Sequence, residues 1–522
     1  MKFIKKTLCL LTVIVMLFTV SACNVKDNII NSISDINSKD NNPGIDEIAY
    51  RLPYTRNDSL NPYEAETESN INLATLLFDS LYTVDNSFNP VALIASDSAV
   101  NGKTLKVTIK SGLKFTDNSD ITANDVVYSF KIAKKSDNYK DYLLNISEAS
   151  ADGESINFTL KHFCSLESAN LVFPIIKADS DKASDESSET YSVLPVGSGR
   201  YYLDDSENKD EKILRVNKNR LGSYHPVYNL IGLTDVNEST SFYNLFNLSK
   251  IDCYTNNFSD GKFTNYTGIG SNKKTTNFVY LGINKNTSSL SDGNVRRAIA
   301  LSINRIDLAA VSFTSFACAS SVPFHPNFAG SKDCTLPTLK CDTKAAIKLL
   351  EQAGFKNVSE SGIRYSDKKS LEISLLVNKS NSFKLSMARS IQQALSKVDI
   401  KVKLNELDYS NYVEAVKNGS YDMYIAEARL SNSFDLERFF TEDGGLDYGI
   451  KTKSETADKY LNFRDGKENI QTFIDSFSDS LPIIPIAFRD TLIVKSSKIK
   501  TDIVSTPADC FSNIGEWVAD NG

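Results

Sequence analysis

The chain has 522 residues, 41% hydrophobic and 24% charged, the balance of an ordinary globular protein rather than a disordered or fibrous one. That length exceeds what one core holds, so two or three lobes are expected. A formal net charge of −7 with no basic stretch argues against a nucleic-acid partner. The three histidines, His162, His225 and His325, lie far apart in no metal-ligand spacing, so no metal and no cofactor is expected.

Lys2, Lys5 and Lys6 precede an apolar run from Thr7 to Val20, shorter than the roughly 20 residues that cross a bilayer. Val20-Ser21-Ala22-Cys23 follows, small residues before a cysteine in the manner of a lipobox. Residues 1–22 are therefore predicted to be a lipoprotein signal peptide and Cys23 the lipidation site, two acyl chains then holding the mature protein on a membrane. Loss of the three lysines takes the net charge from −7 to −10. Residues 23–46, rich in Asn, Asp, Ser and Lys with few apolar positions, are predicted to form a flexible tether. Of eight cysteines, Cys9 lies in the leader and Cys23 ends the lipobox, leaving six. Among those, Cys334 and Cys341 flank a short loop, and a disulfide between them is left open by spacing alone.

The globular part starts near Glu47 with an opening strand at Ile48 to Leu52 and a turn-rich loop at Asn57 to Tyr63. An amphipathic helix is predicted over Ile71 to Tyr82. Leu105, Val107 and Ile109 alternate with polar residues, the period of a half-buried strand. Asp117 to Asp120 is a turn, with Asn118 able to take positive φ. Thr122 and Asp125 have the spacing of a helix cap, and Val126, Phe130 and Ala133 make the core stripe behind it. The glycines of Pro195-Val196-Gly197-Ser198-Gly199-Arg200 are expected to reverse the chain into a strand. Asp292 opens one long predicted helix running to Phe313. From Asp342 onward helices and strands alternate, with strands at Leu371 to Val377, Lys401 to Leu407 and Tyr421 to Ala428. Such spacing implies parallel βαβ units. Pro482 to Phe488 is a proline-bracketed apolar strand.

Several of these words resemble family 5 extracellular solute-binding proteins, the dipeptide-, oligopeptide- and nickel-binding receptors of ABC importers. Lys110-Ser-Gly-Leu-Lys-Phe-Thr-Asp117 followed by Ile121-Thr-Ala-Asn-Asp-Val-Val-Tyr-Ser-Phe130 looks like one family signature. Val295-Arg-Arg-Ala-Ile-Ala-Leu-Ser-Ile-Asn-Arg305 resembles a second, with Asn304 where Asp is usual. Pro195 to Tyr201 is similar to the family's "Pro-Val-Gly-Thr-Gly-Pro-Tyr", with Arg200 in place of the last proline. The motifs come in family order over roughly residues 48 to 500.

The resemblance implies an α/β, two-lobed, periplasmic-binding-protein-like fold of type II with an extra inserted subdomain. On this chain it places the first lobe at 47–280 plus 481–522, the insertion at about 83–190 and the second lobe at 285–475. Tyr280 to Asn284 and Pro482 to Phe488 would be hinge strands. It implies a substrate-binding lipoprotein of an ABC importer, capturing oligopeptides or a peptide-sized solute between the lobes. A permease and ATPase complex would receive the cargo, and the receptor would be a monomer anchored on the outer face of the bacterial cytoplasmic membrane. In the family the loop after the strand matching Tyr421 to Ala428 grips the ligand's amine; the resemblance puts Asn432 where peptide receptors carry an amine-binding Asp and Asp435 on the second acidic position. Glu427, at the strand end, is a substitute acid, and Arg429 is a further candidate ligand contact. An amide grips an ammonium less strongly than a carboxylate does, so recognition of a free peptide amine stays open. No Gly-x-Ser-x-Gly, His-Glu-x-x-His or Cys/His pairing is present, so the chain is not expected to be an enzyme. The alternative is a surface sensor or adhesion lipoprotein of the same fold that binds a non-peptide solute.

Overall fold

The computed structural model describes residues 44–182, 193–204, 212–220, 224–236, 241–259, 261–262, 265–367 and 369–520. The leader and Cys23 lie outside the described residues, as does most of the expected tether. Its last residues, expected to be unstructured, already belong to the strand Ile45–Tyr54. No helix among the described residues is long and apolar enough to cross a membrane.

Two antiparallel strands dominate the architecture. Ile269–Ile283 and Ile483–Lys495 pair along almost their whole length, from Ile269↔Lys495 to Gly282↔Ile483. They sit inside a seven-stranded sheet whose other members are Cys253–Asn256, Ala317–Ala319, Met423–Arg429, Glu372–Asn378 and Lys401–Leu407. The last three show the expected βαβ logic. Glu372–Asn378 pairs in parallel with both Lys401–Leu407 and Met423–Arg429. The helices Ser382–Ser396 and Tyr409–Lys417 make the crossovers.

Two hydrophobic cores flank this sheet. The first holds Tyr50, Leu73, Phe130, Phe158, Tyr201 and Trp517; the second holds Ile299, Leu350, Leu375, Met387, Phe439 and Phe473. Alternation along a strand distributes its residues between them. Ile493 enters the first core while Leu492 and Val494 enter the second. Phe88, sequence-adjacent to the first core, crosses over and packs edge-on against Phe434 at 4.9 Å in the second.

The first core also carries two four-stranded sheets. One is ordered Ile45–Tyr54, Tyr228–Asp235, Lys212–Val216, Tyr201–Asp204; the other Ala95–Asn101, Thr104–Ile109, Ser155–Leu160, Ile146–Asp152. Thr104–Ile109 buries Leu105, Val107 and Ile109, as its alternation predicts. Asn118 has φ 68°. The Asp125 carboxylate accepts from the Thr122 backbone N–H at 2.8 Å and its hydroxyl at 2.6 Å, and Val126, Phe130 and Ala133 are buried.

Three elements differ from the sequence reading. The first helix runs over Glu68–Leu77, earlier than expected, because the chain turns extended at Phe78. The long helix from Asp292 is two helices, Gly293–Ser302 and Arg305–Ser312. Ile303 is extended, and Asn304 caps the second helix by accepting from Asp307 N–H, a local bond that competes with helix continuation. Gly197 and Gly199 are needed for close approach rather than for reversal. A Cβ on Gly199 would lie 2.3 Å from the Leu76 carbonyl oxygen, 2.4 Å from the Leu77 carbonyl carbon and 2.5 Å from the Phe78 nitrogen. Cys334 and Cys341 are both free thiols.

All three neighbours of Gly199 are backbone atoms and cannot rotate away. Gly199→Ala is therefore expected to lower stability by about 1–3 kcal/mol. Urea unfolding followed by fluorescence of Trp517, which sits in the same core, measures it. An unchanged midpoint would show that the end of the helix Glu68–Leu77 yields freely.

Candidate functional site

A cavity of about 520 Å³ opens between the two cores. The helix Glu68–Leu77 gives Glu68, Asn72 and Thr75 to one wall, and Tyr139, Tyr142, Arg200, Arg220 and Asp509 complete that side. Lys273, Thr276, Asn277, Arg429 and Asn432 face them from the long strand Ile269–Ile283 and the chain leaving Met423–Arg429. Neither wall alone encloses anything.

Most of the charge here is already matched. Arg200 pairs with Asp509 at 2.7 Å and donates to the Phe511 carbonyl at 2.8 Å. Arg220 meets Asp79 with two parallel bonds, 2.9 and 3.0 Å. Arg429 reaches across to Asp141 at 3.1 Å and the Asp137 carbonyl at 2.6 Å, and lies over the Tyr142 ring. Besides the exposed Glu66, two partly buried groups stand apart. Lys273 has no carboxylate within 4.0 Å among the described residues, and Glu68 uses its carboxylate to accept from the Asn257 N–H at 2.9 Å. Burial disfavours the charged form of each. Burial raises the Glu68 carboxyl above its usual range, with bonds from Asn257 and Thr255 opposing. Burial pulls Lys273 down, but nearby acidic groups, Cys510, Tyr142, Asp509 and Glu68, outweigh it and keep the ammonium charged.

The four loop residues singled out from sequence separate into two pairs. Arg429 and Asn432 line the cavity. Asn432 is buried, and its amide donates to the Ala169 carbonyl of the opposite lobe at 2.8 Å. Glu427 and Asp435 are absent from the cavity wall and are held by protein groups. Glu427 binds Arg489 at 2.7 Å and Lys384 at 3.3 Å. Asp435 accepts from Tyr460 and lies 2.9 Å from His162. The turn between Asn432 and Asp435 is pinned by Phe434. Its φ of 55° is a strained value for a bulky residue, and rings of Phe328 at 4.6 Å and Phe88 at 4.9 Å hold it.

Sequence reasoning missed Glu68, Lys273, Arg220 and Asp509, which belong to no motif. Arg200 did leave a trace, as the departure from the family's proline in the glycine-rich stretch.

Glu427 is best understood as a structural partner. Burial by itself would raise its carboxyl, but Arg489 and Lys384 overcome that and hold it below the usual range. A depressed folded value means that its contribution to stability is complete above the unfolded value of about 4.3 and is lost as pH falls through the folded one. Glu427→Ala strands a buried Arg489 and is expected to cost about 3–5 kcal/mol. Urea titrations of wild type and variant between neutral and acid pH check both parts. The two stabilities should converge toward acid pH, and a parallel offset at every pH would contradict the ionic account.

The family model of bacterial extracellular solute-binding proteins, family 5 (middle region), matches residues 89–443. The oligopeptide-binding protein AppA of Bacillus subtilis is 24% identical over 430 residues, 74% of this chain and 78% of that protein. The nickel-binding protein NikA of Staphylococcus aureus is 23% identical over 454 residues, 85% of this chain and 88% of that protein. Among solved structures, NikA from Brucella suis in complex with Fe(III)-EDTA superposes with a TM-score of 0.69 at 16% identity, over 90% of this chain and 100% of that one. With its two cores, its shared strands and a cavity between them, the chain has the two-lobed type II fold and belongs to the family 5 bacterial extracellular solute-binding proteins.

Proposed function

We propose that this chain is the lipid-anchored receptor of an ABC importer, taking oligopeptides or a peptide-sized solute between its lobes and handing them to a permease and ATPase complex. The observation that carries this reading is the charge pattern of the cavity. Its arginines are neutralised by protein carboxylates, whereas Lys273 and Glu68 remain for a ligand. A group of each sign in one half-buried volume suits a zwitterion. About 520 Å³ lies within the range of roughly 300–1,000 Å³ typical of small-ligand sites. Among the described residues no histidine or cysteine lines the cavity, so that lining offers no soft-donor set for a bare transition metal. The relatives' names, oligopeptide-binding and nickel-binding, frame the choice, and this lining favours the peptide.

In this reading Glu68 receives the ligand ammonium, a role that Asn432 fills poorly because its neutral amide oxygen grips an ammonium less strongly than a carboxylate does. Arg429 and Asn432 contribute to the wall beside it, and Lys273 receives the carboxylate end. The chain binds as a monomer and turns nothing over. Cys23 carries the lipid and residues 23–46 lead away from the membrane.

Isothermal titration with matched free and N-acetylated peptides tests the ligand assignment. Glu68→Gln is expected to weaken binding of free-amine peptides by about tenfold, or ~1.4 kcal/mol, with little effect on acetylated ones. Equal binding of both peptide forms by the wild type would discard the amine site at Glu68. For the anchor, Cys23→Ala should abolish acyl labelling and leave an unprocessed precursor; persistent labelling would refute it.

A further inference from the structure

Away from the main cavity, three side chains from the two lobes converge. His162 follows the first-lobe strand Ser155–Leu160, whereas Asp435 and Glu437 flank Leu436 of the second core. The His162 Nε2 lies 2.9 Å from Asp435 Oδ2 and 3.3 Å from Glu437 Oε2. His162 is 4% exposed, and its Nε2 makes no hydrogen bond of acceptable geometry although both oxygens are near. The oxygens therefore flank the ring's nitrogen axis instead of lying on it. An imidazolium donating a proton would put one oxygen on that axis. A metal ion on the axis puts its other ligands to the side.

The spacing agrees. Ligands at about 2.0–2.2 Å from a metal are about 2.8–3.1 Å apart when at right angles and about 3.3–3.6 Å apart when tetrahedral. The outer atoms are also committed. His162 Nδ1 is 3.2 Å from the Phe163 carbonyl, a bond that directs Nε2 to serve as ligand. Asp435 Oδ1 accepts from the Tyr460 hydroxyl and, at 2.8 Å, from the Glu437 N–H. Glu437 Oε1 is 3.2 Å from Arg464. One nitrogen and two oxygens are left, all within 4.8 Å of one another. A small cavity of about 30 Å³ bordered by Asp435 and Glu437 has room for water to complete the coordination.

We propose that His162, Asp435 and Glu437 form a three-ligand site for a divalent first-row transition-metal ion that clasps the two lobes together. One imidazole with two carboxylates suits zinc, cobalt or nickel better than calcium or magnesium, which prefer all-oxygen sites. Because its ligands come from both lobes, the ion stabilises the closed arrangement. The site is independent of the peptide reading, since none of its ligands lines the main cavity.

The test uses the mature chain, stripped with a chelator and titrated with Co²⁺ alone, without peptide. Calorimetry and cobalt absorption are expected to show one ion per chain, with a paramagnetically shifted imidazole proton signal in NMR. His162→Gln is expected to weaken binding by at least about 100-fold and to remove that signal. Glu437→Gln, at a partly exposed position, is the second variant, with circular dichroism to verify its fold, and is expected to weaken binding by about tenfold or more. Absence of a stoichiometric site in the wild type overturns the proposal, as does cobalt binding that both variants leave unchanged.

Discussion

The rest of the molecule depends on one strand, Ile483–Lys495, all thirteen of whose residues are buried. Burial on both faces means that any charge on it requires a partner. Arg489 has Glu427, Asp490 has Lys274 at 3.2 Å, and Lys495 donates to the Thr501 carbonyl at 2.6 Å. Each partner sits on a different segment. Glu427 comes from the second lobe's parallel unit, Lys274 from the neighbouring long strand and Thr501 from the C-terminal return. Satisfying three buried charges thus fixes where three parts of the chain must lie.

The cavity follows from that frame. The strand Ile269–Ile283 is locked to Ile483–Lys495 by its ladder and presents Lys273, Thr276 and Asn277 toward the helix Glu68–Leu77 of the first lobe. The close approach at Gly199 packs that helix against the segment bearing Arg200, which then reaches Asp509. The charge character of the cavity is the small difference between many matched charges and the few, Lys273, Glu68 and the exposed Glu66, that no ion pair neutralises among the described residues. Selectivity in such a site comes from which groups the protein leaves without a partner more than from how many charges line it.

Contacts between the lobes at the loop after Met423–Arg429 are mostly polar: Arg429 with Asp141, Asn432 with Ala169, Asn170 with Ser433 and His162 with Asp435. Polar contacts cost less than apolar ones to exchange for water, so this edge is suited to opening. The shared strands, laddered along almost their whole length, are suited to staying intact while it does.

Local order was legible in the sequence. The strand at Leu105 to Ile109, the cap at Thr122 and Asp125, positive φ at Asn118 and the parallel units after Asp342 all rest on bonds or periodicities within a few residues, and so did the family motifs. The split at Ile303 and Asn304 was missed because a cap and a continuing helix share the same apolar period. The candidate site was legible only in part. Arg429 and Asn432, which line the cavity, stood out because they follow a recognisable strand, whereas Glu427 and Asp435 looked equally suited until their partners Arg489, Lys384, Tyr460 and His162 were in place. Those partners lie far away in sequence, as do Glu68 and Lys273 from one another. Whether a carboxylate is free for a ligand is a property of its neighbours in space, and that only the tertiary structure decided.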